Sequence, residues 1–245
     1  MSRAWGGYRL FVAVDFDGTL APLAPRPERA RLPAAARRAL ERLAARPDVL
    51  VAIASGRALS TLQPKVGLPE LIYAGNHGLD VAGPGLRWRH PGLPPLRAAL
   101  RRVVRRASAL AATVPGAWVE DKVWSLSVHV RAVRSPTAAL GLGASLMDCM
   151  REEPTLRLAP GKKVFEIRTR LPWDKGDAIM LTRRRLAPGA VTVFIGDDTN
   201  DEEGFRTLGA RALCVKVGQG ASKARWRARD TKVVARLLER LAKAD

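Results

Sequence analysis

An α/β fold is predicted for this chain of 245 residues: a doubly wound, mostly parallel sheet interrupted by an α+β insertion. Three observations predict it. Short apolar runs ending in polar, glycine-containing loops alternate with helical periodicities at both ends of the chain, the grammar of buried parallel strands and their crossovers. The middle third changes to the two-residue alternation of half-exposed strands. A hydrophobic content of 47% is ample for a large core, and no repeat unit recurs along the chain.

The elements follow in order. Residues 9–14 form a β-branched, apolar run that stops at Asp15, so the Asp15-Phe16-Asp17-Gly18-Thr19 segment lies at the C-terminal end of a buried strand. Leu32, Ala36, Leu40 and Leu43 share one helical face over residues 33–46, and residues 49–54 make a second buried strand ending at Ser55-Gly56-Arg57. A helix over residues 58–65 and a short strand over 71–74 lead to Gly75-Asn76-His77-Gly78. The insertion is placed at residues 80–172, with strands at 118–120, 125–130 and 164–167 and helices at 93–112 and 136–152, its sheet antiparallel and covered on one face. The core, residues 1–79 and 173–245, resumes with a helix from Asp174-Lys175-Gly176, a strand at 191–195, the loop Gly196-Asp197-Asp198-Thr199-Asn200-Asp201, a strand at 212–217 and a last helix at 231–243. In such sheets ligands bind beyond the carboxyl ends of the strands, where the acidic and Ser-Gly loops fall.

Composition narrows the function. The apolar stretch nearest the N-terminus carries Asp15 and Asp17, which neither a signal segment nor a membrane span tolerates, so no membrane association is expected. Two cysteines, Cys149 and Cys214, allow no disulfide framework and no zinc spacing, and a reducing cytoplasm is the expected location. The net charge of +19 attracts anions in general. Arg97, Arg101 and Arg105, with Arg102 and Arg106 beside them, put a basic stripe on one predicted helix, yet aromatics are 5% and no nucleic-acid-binding motif accompanies them. Nucleic acid is therefore not the expected partner, and nothing sets an oligomeric state beyond a monomer.

Two carboxylates two residues apart at a strand end add little stability, because buried unpaired charge is costly. A hard cation resolves the repulsion, and Asp15, Asp17 and Asp197 are the expected protein ligands of Mg²⁺, with water and phosphate oxygens completing its shell. Gly18 lets the chain turn sharply there.

With Asp15-Phe16-Asp17-Gly18-Thr19, Ser55, Lys175 and Gly196-Asp197-Asp198-Thr199-Asn200-Asp201 in this order, the chain resembles the haloacid dehalogenase superfamily of aspartate-nucleophile phosphotransferases. The resemblance implies a Rossmann-like core with a cap inserted in it. It also implies that Asp15 attacks phosphorus to give an aspartyl-phosphate, and that Asp17 protonates the leaving oxygen and later deprotonates water. Ser55 and Lys175 would hold the phosphoryl oxygens, Asp197 would bind the metal, Asp201 would orient either Asp197 or Lys175 from behind, and Asp198 would support the same loop. Thr19 either supports this loop or meets phosphate through its backbone. Gly56 and Arg57 are candidates for substrate binding as well as for a turn and a helix start.

The insertion narrows the resemblance further. Residues 118–122, 125–131 and 163–168, together with Gly75-Asn76-His77-Gly78, resemble the trehalose-6-phosphate phosphatases. The implied substrate is trehalose 6-phosphate, a sugar phosphate rich in hydroxyls, with Glu120, Lys122 and Glu166 as its hydrogen-bonding partners. Glu120 and Lys122 face the same side of a strand, and a surface ion pair is the plainer reading of both. His77 either lines the sugar site or bonds a loop. Val130 and Asn200 depart from the family pattern, where Tyr and Thr are usual. Another sugar phosphate is the alternative substrate, and a non-catalytic nucleic-acid binder on the same fold is the alternative class.

Overall fold

The computed structural model describes residues 7–161 and 163–244. These divide into two compact units, one reaching to Arg89 and resuming at Trp173, the other spanning His90–Pro172.

The larger unit is an eight-stranded sheet. Its strands are β1 (Leu10–Asp15), β2 (Val49–Ala54), β3 (Ile72–Gly75), β4 (Asp80–Gly83), β5 (Leu86–Arg89), β10 (Val191–Gly196), β11 (Leu213–Val217) and β12 (Trp226–Ala228). They lie in the order β12-β11-β10-β1-β2-β3-β4-β5, parallel from β12 to β3 and antiparallel across β3-β4-β5. Alternate residues of the central strands feed two cores. Val12, Val14, Val51 and Ile53 pack with helices α1 (Ala34–Ala45), α2 (Leu59–Val66) and α7 (Thr231–Lys243). Phe11, Ala13 and Phe194 pack on the other face with α5 (Lys175–Leu186) and α6 (Thr199–Leu208). Burial on both faces is why these strands read as unbroken apolar runs.

The smaller unit is a four-stranded antiparallel sheet of β6 (Trp118–Asp121), β7 (Leu126–His129), β8 (Leu156–Gly161) and β9 (Val164–Thr169) in the order β6-β7-β9-β8. Helices α3 (Arg97–Ala112) and α4 (Pro136–Arg151) belong to it. Leu126, Val128, Leu156 and Ile167 are fully buried, as are Val103 of α3 and Leu146 of α4, so one face of this sheet is apolar and the other polar.

The architecture matches the expected class, and three local features differ. First, β4 and β5 fall within the predicted insertion but extend the parallel sheet through β3, so the division lies at His90 and not at residue 80. Trp88 stacks on Trp173 with ring centroids 4.6 Å apart, and the Trp173 indole donates to the Gly78 carbonyl at 2.9 Å. The residues just before and just after the smaller unit are thus pinned side by side. Second, β8 carries Pro160, which an edge strand tolerates because one side of it needs no ladder donors. Third, β12 adds a three-residue edge strand that the sequence reading does not include.

Among the described residues no helix is long and apolar enough to cross a membrane. Three arginines of the predicted basic stripe are engaged inside the smaller unit. Arg102 pairs with Glu153 and Arg106 with Glu152, each at 2.6 Å, while Arg97 lies over the Trp124 ring.

Candidate active site

The strand order turns at β1. From there the chain proceeds outward through β2 and β3 on one side and, later, through β10 and β11 on the other. Loops leaving the carboxyl ends of β1 and β10 therefore diverge, and a crevice opens between them, the position where open α/β sheets bind ligands. Asp15 ends β1 and Asp197 directly follows β10.

Between them lies Lys175, delivered by the start of α5. Asp174 caps that helix, accepting from the Gly176 and Asp177 amides, while the Asp177 carboxylate returns to the Asp174 amide. This reciprocal cap fixes the first turn and with it the lysine stem. The Lys175 ammonium donates to Asp15 Oδ1 at 2.6 Å and to Asp201 Oδ1 at 2.7 Å, and the three residues are 3%, 4% and 0% exposed. Asp201 is held in turn by a second reciprocal cap on α6, its Oδ2 accepting from the Asp197 and Asp198 amides at 2.9 and 3.0 Å. Asp198 is the N-cap of that helix and accepts from Thr199. Thr19 donates to Asp197 Oδ1 at 3.2 Å, so its side chain supports this loop. Gly18, at φ +87°, is required twice over, since a Cβ there would also lie 2.2 Å from Asp197 Oδ2.

Asp17 and Arg57 are joined to each other. The guanidinium grips the Asp17 carboxylate at two points, both 2.6 Å, donates to the Pro27 carbonyl at 2.9 Å and lies over the Phe16 ring. Arg57 thus holds the carboxylate expected to move protons, a two-point geometry only arginine supplies. The Asp17 carboxylate is engaged by Arg57 here and is not among the clustered oxygens of Asp15, Asp197 and Asp201.

Ser55 follows β2, is buried, and accepts from the Arg57 amide at 3.2 Å. The Gly75–Gly78 loop closes over this turn: the Asn76 amide reaches the Arg57 carbonyl at 2.7 Å and the His77 amide the Ser55 carbonyl at 3.0 Å. The His77 ring occupies the space where a Gly56 side chain would begin, 2.6 Å from its Cε1. His77 and Gly56 are therefore packed against Ser55.

Oxygens of Asp15, Asp197 and Asp201 come within 4.8 Å of one another. Asp201 already accepts from Lys175 and two amides, which leaves Asp15 and Asp197 each with one oxygen outside these bonds. An all-oxygen set of this kind suits a hard divalent cation. The electrostatics agree, because one ammonium faces three carboxylates. Burial, with Asp201 and Asp197 adding to it against Lys175, raises the Asp15 pKa well above the ordinary carboxylate range. Burial, Asp201 and Asp198 push Asp197 up to about 6. Burial works against the Lys175 ammonium, but Asp15 and Asp201 outweigh it and keep the lysine charged.

A family model described as Trehalose-phosphatase matches residues 13–232. The chain belongs to the trehalose-phosphatase family. Its relatives include a trehalose 6-phosphate phosphatase of Zea mays, 33% identical over 82% of this chain and 60% of that protein. A trehalose-phosphate phosphatase of Mycobacterium avium (strain 104) is 36% identical over 79% of this chain and 50% of its own length. The chain thus spans roughly three-fifths or less of these proteins. The crystal structure of a trehalose-6-phosphate phosphatase related protein shares the fold, with a TM-score of 0.84 at 21% identity, covering 95% of this chain and 97% of its own.

The remaining predicted residues, Glu120, Lys122 and Glu166, lie on the polar face of the smaller sheet. Glu120 pairs in register with Ser127, and Ser127 with Glu166, so the three share one row. Glu120 meets His129 Nε2 at 3.0 Å, and that imidazole stacks on Trp118. Lys122, one residue past β6, lies 3.7 Å from Glu166, whose other oxygen takes Arg168. Trp118, His129 and Arg168 extend the predicted set; strand parity from Glu120, Ser127 and Glu166 marks all three. Val130 is buried, so its departure from the family pattern bears on packing, whereas Asn200 sits in the first turn of α6.

Proposed function

We propose that this chain hydrolyses trehalose 6-phosphate to trehalose and phosphate through a phosphorylated Asp15, with Mg²⁺ held by Asp15 and Asp197, and that it works in the cytoplasm. The observation that carries this reading is Lys175 fixed between Asp15 and Asp201 beside Asp197, in a chain of the trehalose-phosphatase family. When bound, Mg²⁺ supplies positive charge to the phosphoryl oxygens and keeps the buried carboxylates ionised.

The residues perform the rest. Asp15 attacks phosphorus in line while Lys175 orients it and takes part of the charge that develops on the phosphoryl oxygens. Ser55 donates its hydroxyl proton to one of those oxygens. Asp17, released from the Arg57 clamp in its protonated form, gives its proton to the departing sugar oxygen and regains one from the water that cleaves the aspartyl-phosphate, which returns it to the acid form for the next cycle. Glu120, Lys122 and Glu166, with His129 and Arg168, provide acceptors and donors for sugar hydroxyls.

Phosphate release screened over sugar phosphates with Mg²⁺ or EDTA tests reaction, substrate and metal together. Trehalose 6-phosphate is expected to be the best substrate and EDTA to abolish release. Turnover of another sugar phosphate in its place would overturn the substrate, and EDTA-resistant turnover the metal.

Replacing Glu120 or Glu166 by alanine is expected to lower kcat/KM for trehalose 6-phosphate by about ten-fold or more, the worth of a good polar contact. Turnover of p-nitrophenyl phosphate should change far less. Equal losses on both substrates would remove these residues from sugar recognition.

The raised pKa of Asp197 makes metal-free stability depend on pH. Its folded value of about 6 exceeds the ordinary 3.8, so the folded state binds the proton more tightly. That contribution is whole below about pH 4, is lost as pH rises through 6, and amounts to about 3 kcal/mol. Melting temperature without metal should fall across this window, and Asp197→Asn should flatten the fall. Because ligation needs the ionised carboxylate, Mg²⁺ should raise the melting temperature more at pH 8 than at pH 5. An equal Mg²⁺ effect at both values would separate Asp197 from the metal.

A further inference from the structure

We propose that Lys216 is a positioning residue for the metal site, fixing the main chain of Asp197; this rests on the phosphatase reading above. Lys216 lies in β11, between valines, in register with Gly196, the residue before Asp197. Its residue exposure is 6%. An ammonium buried within an apolar strand is costly unless it is bonded. Here Nζ donates to the Asp197 carbonyl at 2.6 Å and lies 3.3 Å from Glu202 Oε1.

The first of these bonds completes a restraint on Asp197. The peptide group before its Cα is held through the Asp197 amide by Asp201 Oδ2. The peptide group after its Cα is held from both sides, its N–H by Asp201 Oδ2 and its carbonyl by Lys216. Both backbone torsions of Asp197 are therefore fixed, and Thr19 with Gly18 confines the side chain. A metal ligand placed in advance loses less freedom when the ion arrives, and partners behind a ligand of this kind are worth about 10–100-fold in metal affinity. Lys216 also sets a second cation beside a loop that carries Asp197, Asp198 and Asp201, in addition to Lys175.

Tethering β11 to α6 through Glu202 is the purely structural alternative. Glu202 Oε2 accepts from the Lys223 amide at 2.8 Å, so that pair does anchor the loop after β11. The two roles separate by variant. Lys216→Met removes the bond to the Asp197 carbonyl, whereas Glu202→Gln leaves it and removes only the charge partner.

The test titrates Mn²⁺ into each protein without substrate and follows the free-ion EPR signal. The Mg²⁺ concentration for half-maximal phosphate release from trehalose 6-phosphate is measured in parallel. Lys216→Met is expected to weaken Mn²⁺ binding and raise the Mg²⁺ half-saturation by about ten-fold or more, with a smaller loss of kcat at saturating Mg²⁺. Glu202→Gln should stay within about three-fold of the unaltered protein in both, whatever its melting temperature. Lys216→Gln, which keeps an N–H donor on a shorter stem, should fall between them and gives the same readout should the methionine variant not fold. Unaltered Mn²⁺ affinity in the Lys216 variants, or equal weakening by Glu202→Gln, would overturn the proposal. Mn²⁺ binding by an unaltered protein that releases no phosphate would instead overturn the functional reading and leave the Lys216 comparison standing.

Discussion

Asp15→Asn is expected to lower phosphate release from trehalose 6-phosphate by about a thousand-fold or more, while the melting temperature at pH 8 without metal holds or rises slightly. The scale follows from removing a nucleophile, which leaves only binding and electrostatic help. The stability side follows from the geometry. Asparagine has the same shape, and its amide oxygen still accepts from Lys175, as Asp15 Oδ1 does at 2.6 Å. One of three carboxylates around a single ammonium is then neutral, relieving the burial and repulsion that raise the Asp15 pKa. Acid-quenched protein should also carry no phosphoryl group on residue 15. Turnover at the unaltered rate would sink the nucleophile assignment, and a collapse of stability would show that Asp15 serves the fold.

How much of this was legible in the sequence depends on how local the cause is. β1, β2 and β10 could be read because a strand buried on both faces must be apolar throughout and must end where polar residues begin. Asp15, Ser55 and Asp197 could be read with them, since each occupies the first polar place after such a run. β4 and β5 were misplaced because an antiparallel strand added to a parallel sheet has the same alternation as a strand of the insertion; only pairing with β3 tells them apart. β12 has three residues, too few to show a period. In the site, the pairing of Arg57 with Asp17 could not be read because the two lie 40 residues apart, and nothing local says which carboxylate a guanidinium will grip. Lys216 did carry a signal, an ammonium inside an apolar strand, although its target emerges only from the register of β11 on β10.

Lys175→Met should abolish activity and, at pH 8, destabilise the metal-free protein by about 3–5 kcal/mol, the usual cost of stranding a buried charge. Lys175 Nζ joins Asp15 to Asp201, and both acids are buried. Without the ammonium, the Asp15 pKa rises further above its ordinary value. By linkage, stability is then retained at low pH, where the carboxylates take up protons, and lost as pH rises. The destabilisation should therefore be smaller at pH 5 than at pH 8. A second change separates charge from catalysis. Asp201→Asn in the Lys175→Met background keeps an oxygen for the Asp197 and Asp198 amides but removes one stranded charge, so it should restore part of the stability and none of the turnover. Equal destabilisation at both pH values would mean that methionine fails by packing and not by charge. Recovered turnover in the double variant would mean that Lys175 supports the fold alone and takes no part in moving the phosphoryl group.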